Sequence, residues 1–65
     1  GPIMYRVKEM REELGWTQEK LSEASGVSRT IISALETSDT TRTSTGTLIK
    51  LAAAMNCTVA DIFVA

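Results

Sequence analysis

The sequence predicts an all-α domain, a compact bundle of five short helices. Three observations carry this. Apolar residues recur at spacings of three and four, as in Val7, Met10 and Leu14 or Leu48, Leu51 and Met55, which is the period of a helix with one buried face. Residues that cap or stop helices divide the chain into short segments at Gly15, Thr17, Gly26, Ser28, Ser44 and Asn56. Long alternating strand patterns are absent, only 5% of the residues are aromatic, and there is one Pro. A chain of 65 residues allows one domain with a small core.

The first helix is expected from Met4 to Leu14, with Val7, Met10, Arg11 and Leu14 facing inward and Gly15 ending it. An inward guanidinium needs an acidic partner, and Glu36 is the candidate for Arg11. Thr17 caps the second helix, which runs through Gln18 and Leu21 and stops at Gly26. Ser28 caps a third helix from Arg29 to about Glu36, in which Ser28, Ile32 and Leu35 form the inward stripe and Arg29, Thr30 and Ser33 stay outside. Two capped helices around one glycine make a helix-turn-helix. Residues Thr37 to Thr43 carry no periodic apolar residue and read as a loop. Ser44 caps a fourth helix from Thr45 to Met55, with Leu48, Leu51, Ala52 and Met55 buried and Gly46 weakening its first turn. Asn56 suits a left-handed turn, and Thr58 with Asp61 forms a capping-box pattern that opens a last helix through Phe63.

Composition narrows the function. One cysteine, Cys57, and no histidine leave neither an internal disulfide nor a zinc site of the usual ligand count, so no metal is expected. Cys57 itself reads as a small semi-buried residue of a turn. Without a nucleophile beside a base or a glycine-rich phosphate loop, neither an enzyme nor a cofactor is expected. No apolar run reaches the roughly 20 residues that cross a bilayer, which makes a cytoplasmic protein the default. Residues 1–3, beginning Gly1-Pro2, read as a tag remnant or disordered, and residues 4–65 as the single domain. Seven basic against eight acidic residues give a net charge of −1, and even with the charge polarised this total predicts weak, salt-sensitive binding of one copy to DNA. Such a polarity is expected, with Glu9, Glu12 and Glu13 on the first helix and Arg29 and Arg42 on and after the third.

The motifs resemble the Cro and phage-repressor (XRE) family of DNA-binding domains. They are Gly15-Trp16-Thr17-Gln18, Gly26-Val27-Ser28-Arg29, the ending Ile32, Leu35 and Glu36, then Leu48, Leu51, Ala52, Ala54 and Met55, and finally Asp61-Ile62-Phe63. The likeness spans nearly everything from Tyr5 to Phe63. It implies a lambda-repressor-like bundle in which helices two and three form the helix-turn-helix, an Arg11–Glu36 pair tying helix one to helix three, and a Gln18 that contacts a phosphate and braces the start of helix three. The chain departs from the family pattern at Ser38 and Thr43, where Gly and Pro are usual.

The expected function is sequence-specific binding of double-stranded DNA by a transcriptional regulator, a repressor acting as a homodimer on a palindromic operator. Arg29 heads the recognition helix, where its fork suits guanine O6 and N7, and Thr30 and Ser33 are softer base readers. Thr17, Gln18, Ser28 and Arg42 are candidates for the DNA backbone. The hydroxyls of the loop and Arg42 fit either phosphate contacts or an ordinary solvated connector. Trp16 reads as a partly buried lid over the first two helices, and Ile31 as an exposed rim residue. Ile62, Phe63 and Val64 offer apolar surface for the contact between copies. The alternative is an antitoxin or another protein-interaction module built on the same fold, which the acidic balance favours slightly.

Overall fold

Side-chain caps mark where four of the five helices begin. In the computed structural model, which describes residues 4–37 and 43–64, the chain opens with a short strand β1 (Met4–Tyr5). It continues through α1 (Val7–Glu13), α2 (Gln18–Ser25), α3 (Arg29–Thr37), α4 (Thr45–Ala54) and α5 (Val59–Ile62), and closes with β2 (Phe63–Val64). The Thr17 hydroxyl accepts from the Lys20 N–H at 3.0 Å, Ser28 Oγ from Ile31 at 3.3 Å and Ser44 Oγ from Thr47 at 3.2 Å. The Asp61 carboxylate accepts from both the Thr58 N–H at 2.9 Å and the Thr58 hydroxyl at 3.0 Å, closing the turn that starts α5. Each such cap is worth about 1 kcal/mol against alanine.

The buried faces meet in one core. Val7, Leu21, Ile32, Leu51 and Ile62 are fully enclosed, one from each helix, and Val27, Leu35, Leu48, Ala52 and Met55 complete the cluster. Helix α2 packs against both α3 and α4, α1 against α3, and α4 against α5. Tyr5, Met10, Trp16 and Cys57 seal its margin. Trp16 is half-buried there, with Lys20 Nζ 5.7 Å from its ring centre, so it serves as the expected lid. Asn56 takes the left-handed turn after α4, with φ of 54°.

Several boundaries differ from those the sequence suggests. The first helix begins at Val7 and not at Met4, because Met4–Tyr5 pairs antiparallel with Phe63–Val64, Met4 opposite Val64 and Tyr5 opposite Phe63. The Arg6 N–H then bonds to the Ile62 carbonyl at 2.7 Å, fixing the chain's entry into α1. Leu14 is not inward: it lies one residue past the end of α1 and is 45% exposed. Gly15, with φ of 70°, turns the chain there, and Trp16 takes the place against the core. Ser28 is exposed as a cap and does not belong to the inward stripe, where Val27 is buried instead. Thr37 ends α3 and is not the first loop residue, and Phe63 leaves α5 for an extended conformation. Residues 38–42 of the expected loop, with Arg42, and residues 1–3 lie outside the described residues, while Thr43 is partly buried and carries no regular structure.

Candidate nucleic-acid interface

The turn between α2 and α3 is held by backbone conformation, one apolar anchor and two serines. Gly26 adopts φ of 76°, a region that costs other L-residues roughly 1–2 kcal/mol. Val27, only 6% exposed, pins the turn into the core. Ser22 Oγ donates to the Val27 carbonyl at 2.7 Å, while Ser25 Oγ donates to the Leu21 carbonyl at 2.7 Å and accepts from the Val27 N–H at 3.1 Å. With its inner face fixed by Ile32 and Leu35, α3 turns Arg29, Thr30 and Ile31 to solvent.

The far end of α3 is tied to α1. Arg11 grips Glu36 with two parallel bonds, Nε to Oε2 at 2.9 Å and Nη2 to Oε1 at 3.0 Å, and its Nη1 donates to the Trp16 carbonyl at 2.7 Å. The two side chains are 11% and 3% exposed. Burial alone would raise the Glu36 carboxyl, but the hydrogen bonds from Arg11 and Gln18 and the charges of Arg11 and Lys8 outweigh it and hold the group below its ordinary range. The hydrogen bond to Glu36 likewise raises Arg11 against its own desolvation.

Gln18 departs from what the family resemblance implies. Its side chain braces the end of α3 and not its start, because its amide nitrogen donates to Glu36 Oε1 at 3.0 Å. Since a carboxylate can only accept, this bond settles which end of the amide faces inward. Gln18 therefore braces the end of α3 and keeps one N–H and its oxygen for the open side.

Gln18, Arg29, Thr30, Ser33, Ala34 and Thr37 line one shallow concavity of about 610 Å³. It brings together the three expected base readers and one of the expected backbone residues. No lining residue is acidic; of the two carboxylates adjacent to the lining in sequence, Glu36 is turned inward and paired with Arg11, while Glu19, next to Gln18, is exposed. The other exposed carboxylates among the described residues are those of Glu9, Glu12 and Glu13 of α1, Glu23 of α2 and Asp61 of α5. Thr17 and Ser28 are exposed at the starts of α2 and α3, and because their oxygens accept the capping bonds, each hydroxyl retains a hydrogen to donate. Ala34 and Thr37 were not anticipated. The signal for Thr37 was present, since Arg29, Ser33 and Thr37 recur every four residues, but α3 was expected to stop one residue earlier.

At the other end of the molecule, Ile62 is fully enclosed by the chain's own core and so is corrected as a contact between copies. Phe63 keeps 37% of its surface and packs edge-on against Tyr5, with ring centres 5.8 Å apart. The side chain of Val64 lies outside the described residues.

Comparison with known proteins gives two findings. A helix-turn-helix family model matches residues 7–62. Among solved structures the chain is similar to SinR, the master regulator for biofilm formation, in complex with DNA: 31% identity over 85% of this chain and 87% of that one, with a TM-score of 0.79. No curated protein sequence matches.

Proposed function

This chain belongs to the Cro/C1-type (XRE) helix-turn-helix family, and we propose that, as a DNA-binding transcription regulator, it reads a palindromic duplex site with α3 and acts as a homodimeric repressor. The observation that carries this reading is the single concavity joining Arg29, Thr30, Ser33 and Gln18 without an acidic side chain. That the similar SinR was solved with DNA bound supports it. Arg29 stands at the first position of α3, exposed and free of any ion pair among the described residues, where its planar fork meets guanine O6 and N7 in the major groove. Thr30 supplies a hydroxyl beside Arg29, and Ser33 another about one helical turn further along. Thr17 and Ser28, which cap their helices and still carry a hydrogen, donate to phosphate oxygens, and Gln18 adds its remaining N–H. Arg42, in the segment after α3, completes the backbone contacts.

Few readers on a chain of net charge −1 argue for two copies acting together. Phe63, with Tyr5 beside it, is the surface proposed for the two-fold contact, which would set the recognition helices about 34 Å apart on half-sites one turn of DNA apart. A binding selection from random duplexes tests both parts. The expected result is an enriched palindrome bound by two copies. An unstructured pool speaks against specific reading, and equal affinity for palindrome and half-site with one copy per duplex speaks against the dimer.

A further inference from the structure

Thr37 is the one lining residue of the concavity whose hydroxyl hydrogen is already committed: Oγ1 donates to the Ser33 carbonyl at 2.8 Å. The bond follows from the fold, since a threonine on a helix reaches the carbonyl four residues back. Its hydroxyl is thus the reverse of those at Thr17 and Ser28, which accept the capping bonds and keep a hydrogen to give. Phosphate oxygens only accept, so Thr17 and Ser28 match the DNA backbone and Thr37 does not. What Thr37 offers is lone pairs.

Its position is central to the reading face. At about 100° per residue, and measured from Arg29, Ser33 lies roughly 40° around α3, Thr37 roughly 80°, Thr30 roughly 100° and Ala34 roughly 140°. Thr37 therefore sits in the middle of the arc that faces the concavity, and it is exposed. Eight residues at about 1.5 Å each place it about 12 Å along the axis from Arg29, or between three and four base-pair steps of about 3.4 Å.

In the major groove adenine N6 and cytosine N4 present amino hydrogens, where guanine O6 and thymine O4 present lone pairs. We propose that Thr37 is a further specificity-determining residue, which accepts a hydrogen bond from a base amino group and so favours adenine or cytosine over guanine or thymine at one position of one strand. A keto oxygen there would set acceptor against acceptor. The proposal rests on the duplex-binding reading above.

The test is a selection from random duplexes run in parallel with the unsubstituted protein, Thr37→Val and Thr37→Ser, with Arg29→Ala marking the position that Arg29 reads. Valine keeps the shape and removes the oxygen, whereas serine keeps the oxygen. Because Thr37 is exposed at a helix end, both should fold, and Thr37→Ala provides a second variant without the hydroxyl. The expected result is a preference for adenine or cytosine of roughly three- to tenfold, three or four base pairs from the Arg29 position, the worth of one neutral hydrogen bond. It should vanish at that position alone in the valine and alanine variants and persist with serine. An unchanged consensus in Thr37→Val overturns the proposal, as does a preference for guanine or thymine there in the unsubstituted protein. A uniform loss over all sequences with a shallower salt dependence also overturns it, by making Thr37 a phosphate donor. Failure of the unsubstituted protein to enrich any sequence would refute the duplex-binding reading itself, which is a distinguishable result.

Discussion

Replacing Arg11 by methionine should do more damage than replacing Glu36 by glutamine, although both break the same pair. In Arg11→Met the Glu36 carboxylate, 3% exposed, loses both guanidinium bonds and keeps only the one from Gln18. Leaving one charge of a buried pair uncompensated typically costs about 3–5 kcal/mol. In Glu36→Gln the guanidinium keeps its bond to the Trp16 carbonyl, can still donate to the new amide oxygen, and lies nearer solvent at 11% exposure. That loss should be nearer 1–3 kcal/mol, the range for weakening a charged hydrogen bond. A domain of this size holds roughly 3–10 kcal/mol in total, so the methionine variant should lose a large share of its stability, and at the lower end of that range it unfolds at room temperature. Urea unfolding followed by circular dichroism reads both. Losses below roughly 1 kcal/mol in the two variants would show a pair that behaves as a surface bridge. A glutamine variant as damaged as the methionine variant would refute the ranking of the partners' remaining bonds.

The other predictions follow from the same geometry. Arg29→Ala should relax the consensus at one base pair, whereas Gln18→Ala and Arg42→Ala should weaken all sequences alike and flatten the salt dependence; competition binding on single-base variants separates the two patterns. Stability should fall with acid, because Glu36 and Asp61 are both held below their ordinary carboxyl ranges. Their contribution is present above the unfolded-state values near pH 4 and is lost as the pH drops through the lowered folded values, a trend that melting curves between about pH 6 and pH 2 would follow. Gly26→Ala should cost about 1–2 kcal/mol through its left-handed backbone, since a methyl there meets nothing within 4 Å, and Gly26→Asn should cost less by the same melts.

The helices were legible because their ends carry side-chain chemistry. Thr17, Ser28, Ser44 and Asp61 each supply the predicted cap, and Gly26 and Asn56 the left-handed turns. Arg11 was legible as an inward cation in need of a partner, and the family likeness pointed to Glu36. The pairing of the chain ends was not, because strands of two residues have no period to detect and their register depends on where α1 and α5 lie in space. Leu14 misled because it continues the helical spacing past the point where Gly15 breaks it. Gln18 was placed at the right surface, but its bond to Glu36 joins residues 18 apart in sequence and is visible only once α3 has closed over α2. The same holds for the joint lining of the concavity by α2 and α3.

The central claim is that duplex DNA meets this chain at the concavity between the start of α2 and the outer face of α3. Titrating a selected duplex into isotope-labelled protein and following backbone amide shifts tests it directly. The account predicts the largest changes at Thr17 to Glu19, from Ser28 to Ser33 and at Thr37, with Arg11, Leu21, Leu48 and Leu51 little affected. Changes gathered on the Tyr5–Phe63 face without any at α3, or no changes at duplex concentrations that saturate binding, would contradict it.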